Sequence, residues 1–146
     1  MSIRLPVTAS DDEIRQVVLR WSELLAEERY SEALAMFETS DRADHHPWTI
    51  DLLARTIAFY GDLEHFPGTP LYHVTSVHGR NDLLRAIRID VDRANLYALA
   101  PERYLGMVHY EHVPLNGTPS DLTARFDIRR LGENELTLDF CDLLVM

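Results

Sequence analysis

The sequence contains no lysine, a single cysteine and no long apolar run. All 14 of its cationic side chains are arginines, against 24 aspartates and glutamates, so its net charge is −10. A surface this acidic repels a phosphate backbone, and no local basic patch offsets it, so we expect no nucleic-acid partner. The lone Cys141 excludes an intrachain disulfide. The sequence shows no apolar core of a signal peptide, and no run approaches the roughly 20 apolar residues of a membrane-spanning helix. We therefore expect a cytoplasmic protein without a membrane partner.

The remaining composition is that of an ordinary globular domain. The chain has 146 residues, of which 46% are hydrophobic and 26% are charged. This length is short for two full domains, but it suffices to bury a core without disulfides. We therefore expect residues 1–146 to form a single domain.

The first part of the chain predicts helices. Ser10 and Glu13 have the spacing of a capping box, which marks the start of a helix. Apolar residues then recur at the spacing of one helical face: Ile14, Val17, Val18, Trp21, Leu24 and Leu25. A second, short helix is predicted to begin at the cap candidate Ser31, and a third spans 49–60 with Gly61 as its stop. The predicted helical region is therefore 10–60.

The second part of the chain, 71–146, predicts strands. The candidates are Leu71–His78, Leu84–Asp92, Arg103–Val113, Leu122–Arg130 and Leu136–Leu144. Apolar and polar residues alternate strictly over 122–129, which indicates an antiparallel strand with one face in water. Over 82–89 a short helix is the alternative to a strand. Helices followed by strands predict an α+β fold, with N-terminal helices packed on a mostly antiparallel sheet.

This order of elements, with the Ile14 to Phe37 pattern around Trp21, resembles the nuclear-transport-factor-two-like superfamily. The resemblance implies a curved sheet that forms a cone-shaped half-barrel with the helices. Some members use the cone as an enzyme pocket, as do ketosteroid isomerases and polyketide cyclases with a carboxylate base; others use the fold as a scaffold for dimers or partners. A fold does not by itself choose between these uses.

A second likeness lies in the C-terminal half. The segment from Pro114 to Thr123 and the closing segment from Asp142 to Met146 resemble a family of small bacterial domains of unknown function. This likeness implies no particular chemistry.

Seven histidines make metal binding the first chemical hypothesis to weigh. His109 and Glu111 share one face of a predicted strand, whereas His112 points to the other. A set of two histidines and one carboxylate would need His73 or His78 from a neighbouring strand. The spacing favours histidines at the surface or at the edge of a cavity, so we expect neither a metal nor a cofactor.

Other residue types suit a ligand pocket. His45 lies in a polar loop close to Trp48, with which it could line a pocket. Asp139 lies on the polar face of the last strand, where it either lines a cavity with Arg125 or Asp127 or forms a cross-strand ion pair in water. Tyrosines offer a ring and a hydroxyl group, which suits cavity walls and interfaces. The candidate pocket residues are His45, Trp48, Tyr60, Tyr72, His109, Glu111 and Asp139.

The sequence carries no recognisable acid–base motif, which favours a non-catalytic binding protein acting through a sheet face or a cavity. We expect a homodimer whose further partner is a small apolar ligand or a basic protein. Two alternatives stay open. One is an enzyme of the ketosteroid isomerase or polyketide cyclase type, with a carboxylate base in an apolar pocket. The other is an immunity-type protein that blocks a basic partner by complementary charge.

Overall fold

The computed structural model of this chain describes residues 2–39, 47–93 and 102–146. The described helices are α1 (Asp11–Ala26), α2 (Tyr30–Met36), α3 (Ile50–Ala58) and α4 (Asn81–Ala86). The described strands are β1 (Leu5–Pro6), β2 (Glu38–Thr39), β3 (Arg88–Asp92), β4 (Tyr104–Glu111), β5 (Leu122–Leu131) and β6 (Glu135–Val145). No described helix is both long enough and apolar enough to span a membrane.

The strands form one curled sheet. Its order is β1-β6-β5-β4-β3, with each neighbouring pair antiparallel, and β2 pairs in parallel with β6. The inner face, which carries Val108, Tyr110, Phe126 and Phe140, packs against the helices in the hydrophobic core. The α+β prediction, with helices on a curved and mostly antiparallel sheet, is confirmed.

The predicted start of α1 is also confirmed. The backbone N–H of Glu13 donates to the Ser10 hydroxyl at 3.1 Å, and the Glu13 carboxylate accepts from the Ser10 backbone in return. Thr49 caps α3 in the same way, accepting from the Leu52 N–H at 3.1 Å. The predicted cap at Ser31 is wrong, because α2 begins at Tyr30 and its N-cap Arg29 makes no side-chain capping bond.

Two of the five predicted strands need correction. The segment 71–78 is a loop with only an isolated bridge between Val74 and Leu115. Its backbone groups form hydrogen bonds with the side chain of Asn116. The backbone N–H of His73 donates to the Asn116 side-chain oxygen, and the Asn116 side-chain N–H donates to the Leu71 carbonyl. The segment 84–92 divides into the end of α4 and β3, so the helical alternative is correct for its first part.

The alternating pattern of β5 gives the correct strand but the wrong environment for its polar face. Thr123 and Asp127 are buried, although they lie on the face opposite Phe126. A bulge in β6 opposite Arg125 and Phe126 places Asp142 opposite Arg125 and Phe140 opposite Phe126. The extra residue, Cys141, lets both Asp139 and Asp142 reach this outer face.

Candidate functional site

The space between the helices and the inner face of the sheet is filled by aromatic rings. Trp21 is fully buried, and its ring centroid lies 5.2 Å from that of Phe126, 5.2 Å from that of Phe140 and 6.0 Å from that of Phe37. We call these four residues the aromatic core. Trp48, one of the candidate pocket residues, extends it with a centroid distance of 4.7 Å to Phe140. Its indole N–H donates to the Cys141 carbonyl at 3.0 Å, so Trp48 covers the core.

A polar contact lies at the edge of this core. The hydroxyls of Tyr110 and Ser22 are 2.8 Å apart, and both residues are buried. Burial disfavours the phenolate and raises the pKa of Tyr110 above its ordinary value; the bond to Ser22 opposes this shift, and the charge of Glu23 adds to it.

This shift predicts a loss of stability in alkali. Because the pKa of Tyr110 is higher in the folded chain, the unfolded chain releases its proton first, and stability falls as the pH rises above about 10. We expect a slope of up to about 1.4 kcal/mol per pH unit from this residue. Tyr110→Phe should cost about 1 kcal/mol at pH 8 through the lost hydrogen bond and should flatten the slope. Urea unfolding at pH 8 and pH 10.5 measures both, and an unchanged slope in the variant contradicts this assignment.

The outer face of the sheet carries a row of charged side chains. Asp139, which is 1% exposed, accepts two hydrogen bonds from the Arg129 guanidinium at 2.8 and 3.2 Å. Arg125 donates to Asp142 in a second bidentate pair, with its Nε 2.7 Å from the carboxylate. Asp127 lies directly opposite Asp139 and is also 1% exposed. The predicted cross-strand ion pair of Asp139 therefore exists, with Arg129 as its partner. The carboxylate is buried, whereas the Arg129 side chain is 17% exposed, so the predicted solvated environment is wrong for Asp139.

The histidines and Glu111 form no metal site in the described structure. On β4, His109 lies opposite Asp90 of β3 on one side and opposite Arg125 of β5 on the other. A carboxylate oxygen of Glu111 lies 3.8 Å from the Arg88 Nε. The His73 ring has a different partner, because its Nδ1 lies 2.8 Å from a carboxylate oxygen of Glu28. Within residues 2–39, 47–93 and 102–146, no three histidine, cysteine or acidic side chains are grouped to hold a metal ion. His45 lies outside the described residues.

Two candidates, Tyr60 and Tyr72, are brought together. Their ring centroids are 4.9 Å apart at 63°, an edge-to-face arrangement. They line an open groove of about 490 Å³ at the C-terminal end of α3. We call it the aromatic groove, and its lining residues are Phe59, Tyr60, Gly61, Asp62, Phe66, Thr69, Tyr72, Leu144 and Val145. Its volume is in the range of small-molecule sites.

The end of α3 builds this groove through its backbone. The Gly61 N–H closes the helix by donating to the Thr56 carbonyl at 2.7 Å, and Gly61 has φ +82°. Tyr60 also has a positive φ, 53°, which is rare outside glycine and costs of order 1 kcal/mol. The Tyr60 hydroxyl accepts the Asp121 N–H at 3.0 Å, which fixes its ring beside Tyr72.

The rim of the groove exposes apolar side chains. Phe66 is 58% exposed and Val145 46% exposed, while the adjacent Leu63 and Met146 are more exposed still. The loop that presents Phe66 is held by local bonds: the Thr69 hydroxyl donates to the Phe66 carbonyl at 2.6 Å, and a His65 ring nitrogen lies 2.9 Å from the Thr69 carbonyl. A cluster of exposed apolar residues at a groove is typical of an interaction site.

The candidate pocket residues include Tyr60 and Tyr72 but not the rest of the groove lining: Phe59, Gly61, Asp62, Phe66, Thr69, Leu144 and Val145. The available signal was Phe66, an aromatic residue in a loop beside Pro67 and Gly68 with no periodic pattern to bury it. Comparison of this chain with protein-family models, curated proteins and solved structures finds no match.

Proposed function

We propose that this chain is a non-catalytic binding protein with a nuclear-transport-factor-two-like fold, and that it holds a small, partly apolar ligand in the aromatic groove. The observation that carries the proposal is the groove itself, where paired tyrosine rings lie beside exposed Phe66 and Val145. Because Phe66 is 58% exposed, covering the rest of it would contribute about 1–2 kcal/mol before the entropic cost of association. A ligand in the groove supplies that cover.

The packing of the cone favours binding over catalysis. Enzymes of the type that the resemblance implies need a carboxylate in an apolar pocket with room for a substrate. In this chain the aromatic core occupies the region around Trp21, and Asp139 is engaged by Arg129 on the opposite face. The groove does contain a carboxylate, that of Asp62, but it is exposed to water. An exposed carboxylate does not lie in the apolar surroundings that such a base needs.

Native mass spectrometry of the protein purified gently from its own host tests this proposal. The wild type should retain a small-molecule adduct, and Phe66→Ser should lose most of it because the rim of the groove then no longer offers an apolar surface. Leu84→Ser is the matched control, since Leu84 is an exposed leucine on α4 that does not line the groove.

An adduct that persists equally in all three proteins would place the ligand elsewhere, and the absence of any adduct would contradict the proposal. The same spectrum counts subunits. The homodimer that we expect from the resemblance predicts twice the mass of one chain.

A further inference from the structure

We propose that the ligand of the aromatic groove is a small organic cation, an ammonium or quaternary ammonium compound with apolar substituents. This inference rests on the proposed function and specifies the chemistry of its ligand. It depends on three features: the orientation of the rings, the charge of Asp62 and the rigidity of the groove.

The rings present the surfaces that a cation prefers. Tyr60 and Tyr72 meet edge to face at 63°, so the two ring faces point in different directions and bound a corner. Phe59 and Phe66 add two more rings to the lining. The face of an aromatic ring is negative, and a cation within about 6 Å of its centroid is attracted to it. The faces of aromatic rings that line one site hold quaternary ammonium groups.

The charge of the groove selects the same class. Asp62 lines the groove, its side chain is exposed, and the described residues place no ion-pair partner on it. A ligand with a carboxylate or phosphate would be repelled by Asp62 and by the net charge of −10. A neutral apolar ligand would gain nothing from Asp62. An organic cation uses both the rings and the carboxylate.

Hydrogen bonds that leave the open side of the groove free for a ligand hold the groove in shape. The Asp121 N–H fixes the Tyr60 hydroxyl, and the Thr69 hydroxyl and the His65 ring hold the loop that carries Phe66. The Phe59 and His65 rings are also in contact, with centroids 5.6 Å apart. A preorganised site loses less conformational entropy when a ligand binds.

A matched pair of probes separates charge from shape. Choline and 3,3-dimethylbutan-1-ol have the same shape, but choline carries a quaternary nitrogen where the alcohol carries a carbon. Both are titrated into the full chain, and the methyl resonances of Leu144 and Val145 report binding in the groove. We expect choline to bind about tenfold more tightly than the alcohol, the combined size of an exposed cation–π contact and a partly exposed ionic contact with Asp62.

Two variants test the role of the carboxylate. Asp62→Asn should weaken choline binding about three- to fivefold and leave the affinity for the alcohol unchanged, as expected for loss of one partly exposed ionic contact. Glu64→Gln is the matched control. It removes the same charge, but Glu64 lies two residues after Asp62 and does not line the groove. It should leave both affinities unchanged.

The outcomes distinguish this inference from the proposed function. Equal affinity for the two probes in the wild type overturns the inference and leaves a neutral apolar ligand as the occupant of the groove. Equal weakening of choline binding by Asp62→Asn and Glu64→Gln also overturns it, because the effect is then one of net charge. If neither probe shifts the groove methyls, both the inference and the proposed function fail.

Discussion

Replacement of Trp21 with alanine should lower the free energy of unfolding by about 3–5 kcal/mol, the largest loss that we expect from a single substitution in this chain. Trp21 is fully buried and contacts three other aromatic rings, so its removal leaves a cavity that the surrounding rings cannot close. Urea unfolding followed by far-ultraviolet circular dichroism measures the loss without depending on tryptophan fluorescence.

Trp21→Phe is the control for this prediction. The indole N–H of Trp21 is buried and has no hydrogen-bond partner in the described structure. Phenylalanine keeps most of the ring contacts and removes this unsatisfied donor, whose burial costs about 1–3 kcal/mol. We therefore expect a loss of only about 1 kcal/mol or less. If alanine and phenylalanine cost the same small amount, the interior of the cone is loosely packed and the argument against a catalytic pocket there fails.

Breaking the ion pair of Arg129 and Asp139, in which the carboxylate is buried, should cost about 2 kcal/mol or more. In Asp139→Asn the guanidinium of Arg129 keeps its charge, but the side chain that balances it is neutral. Because Asp139 is 1% exposed, water has little access to the side of Arg129 that faces the lost carboxylate. The free energy of unfolding, obtained from urea titration, is again the measurement.

The exposed pair of Arg29 and Glu32 is the control for this second prediction. Its side chains are about half exposed, so Glu32→Gln should cost less than about 0.5 kcal/mol. The double variant Arg129→Met with Asp139→Leu should be less destabilised than the sum of its two single changes, because it removes both charges together. Strict additivity would mean that the two side chains act independently on the outer face.

Local signals in the sequence were sufficient for much of the fold. The capping box at Ser10, the stripe through Trp21 and the alternation in β5 each follow from side chains that are near one another in the chain. The strand predicted over 71–78 fails for the opposite reason. Its alternation resembles a strand, but its hydrogen bonds go to Asn116, a residue over 40 positions away.

The candidate site was less accessible to sequence reasoning. Tyr60 and Tyr72 were identified because tyrosine suits a cavity wall, whereas their contact depends on the positive φ of Tyr60 at the end of α3. Leu144 and Val145 have the pattern of an ordinary strand, and nothing local indicates that the end of β6 borders a groove. Similarly, the burial of Asp127 and Asp139 contradicts the alternation that predicted a wet face.

We expect a ligand to bind in the aromatic groove and not inside the cone. Methyl-resolved nuclear magnetic resonance under xenon pressure tests it most directly, because xenon is a neutral atom that enters apolar space wherever such space is accessible. We expect shifts at the methyls of Leu144 and Val145, with those of Val108, Ile128 and Leu138 unchanged. Shifts at Ile128 and Leu138, with none at the groove, would contradict it and return the cone to consideration as a catalytic pocket.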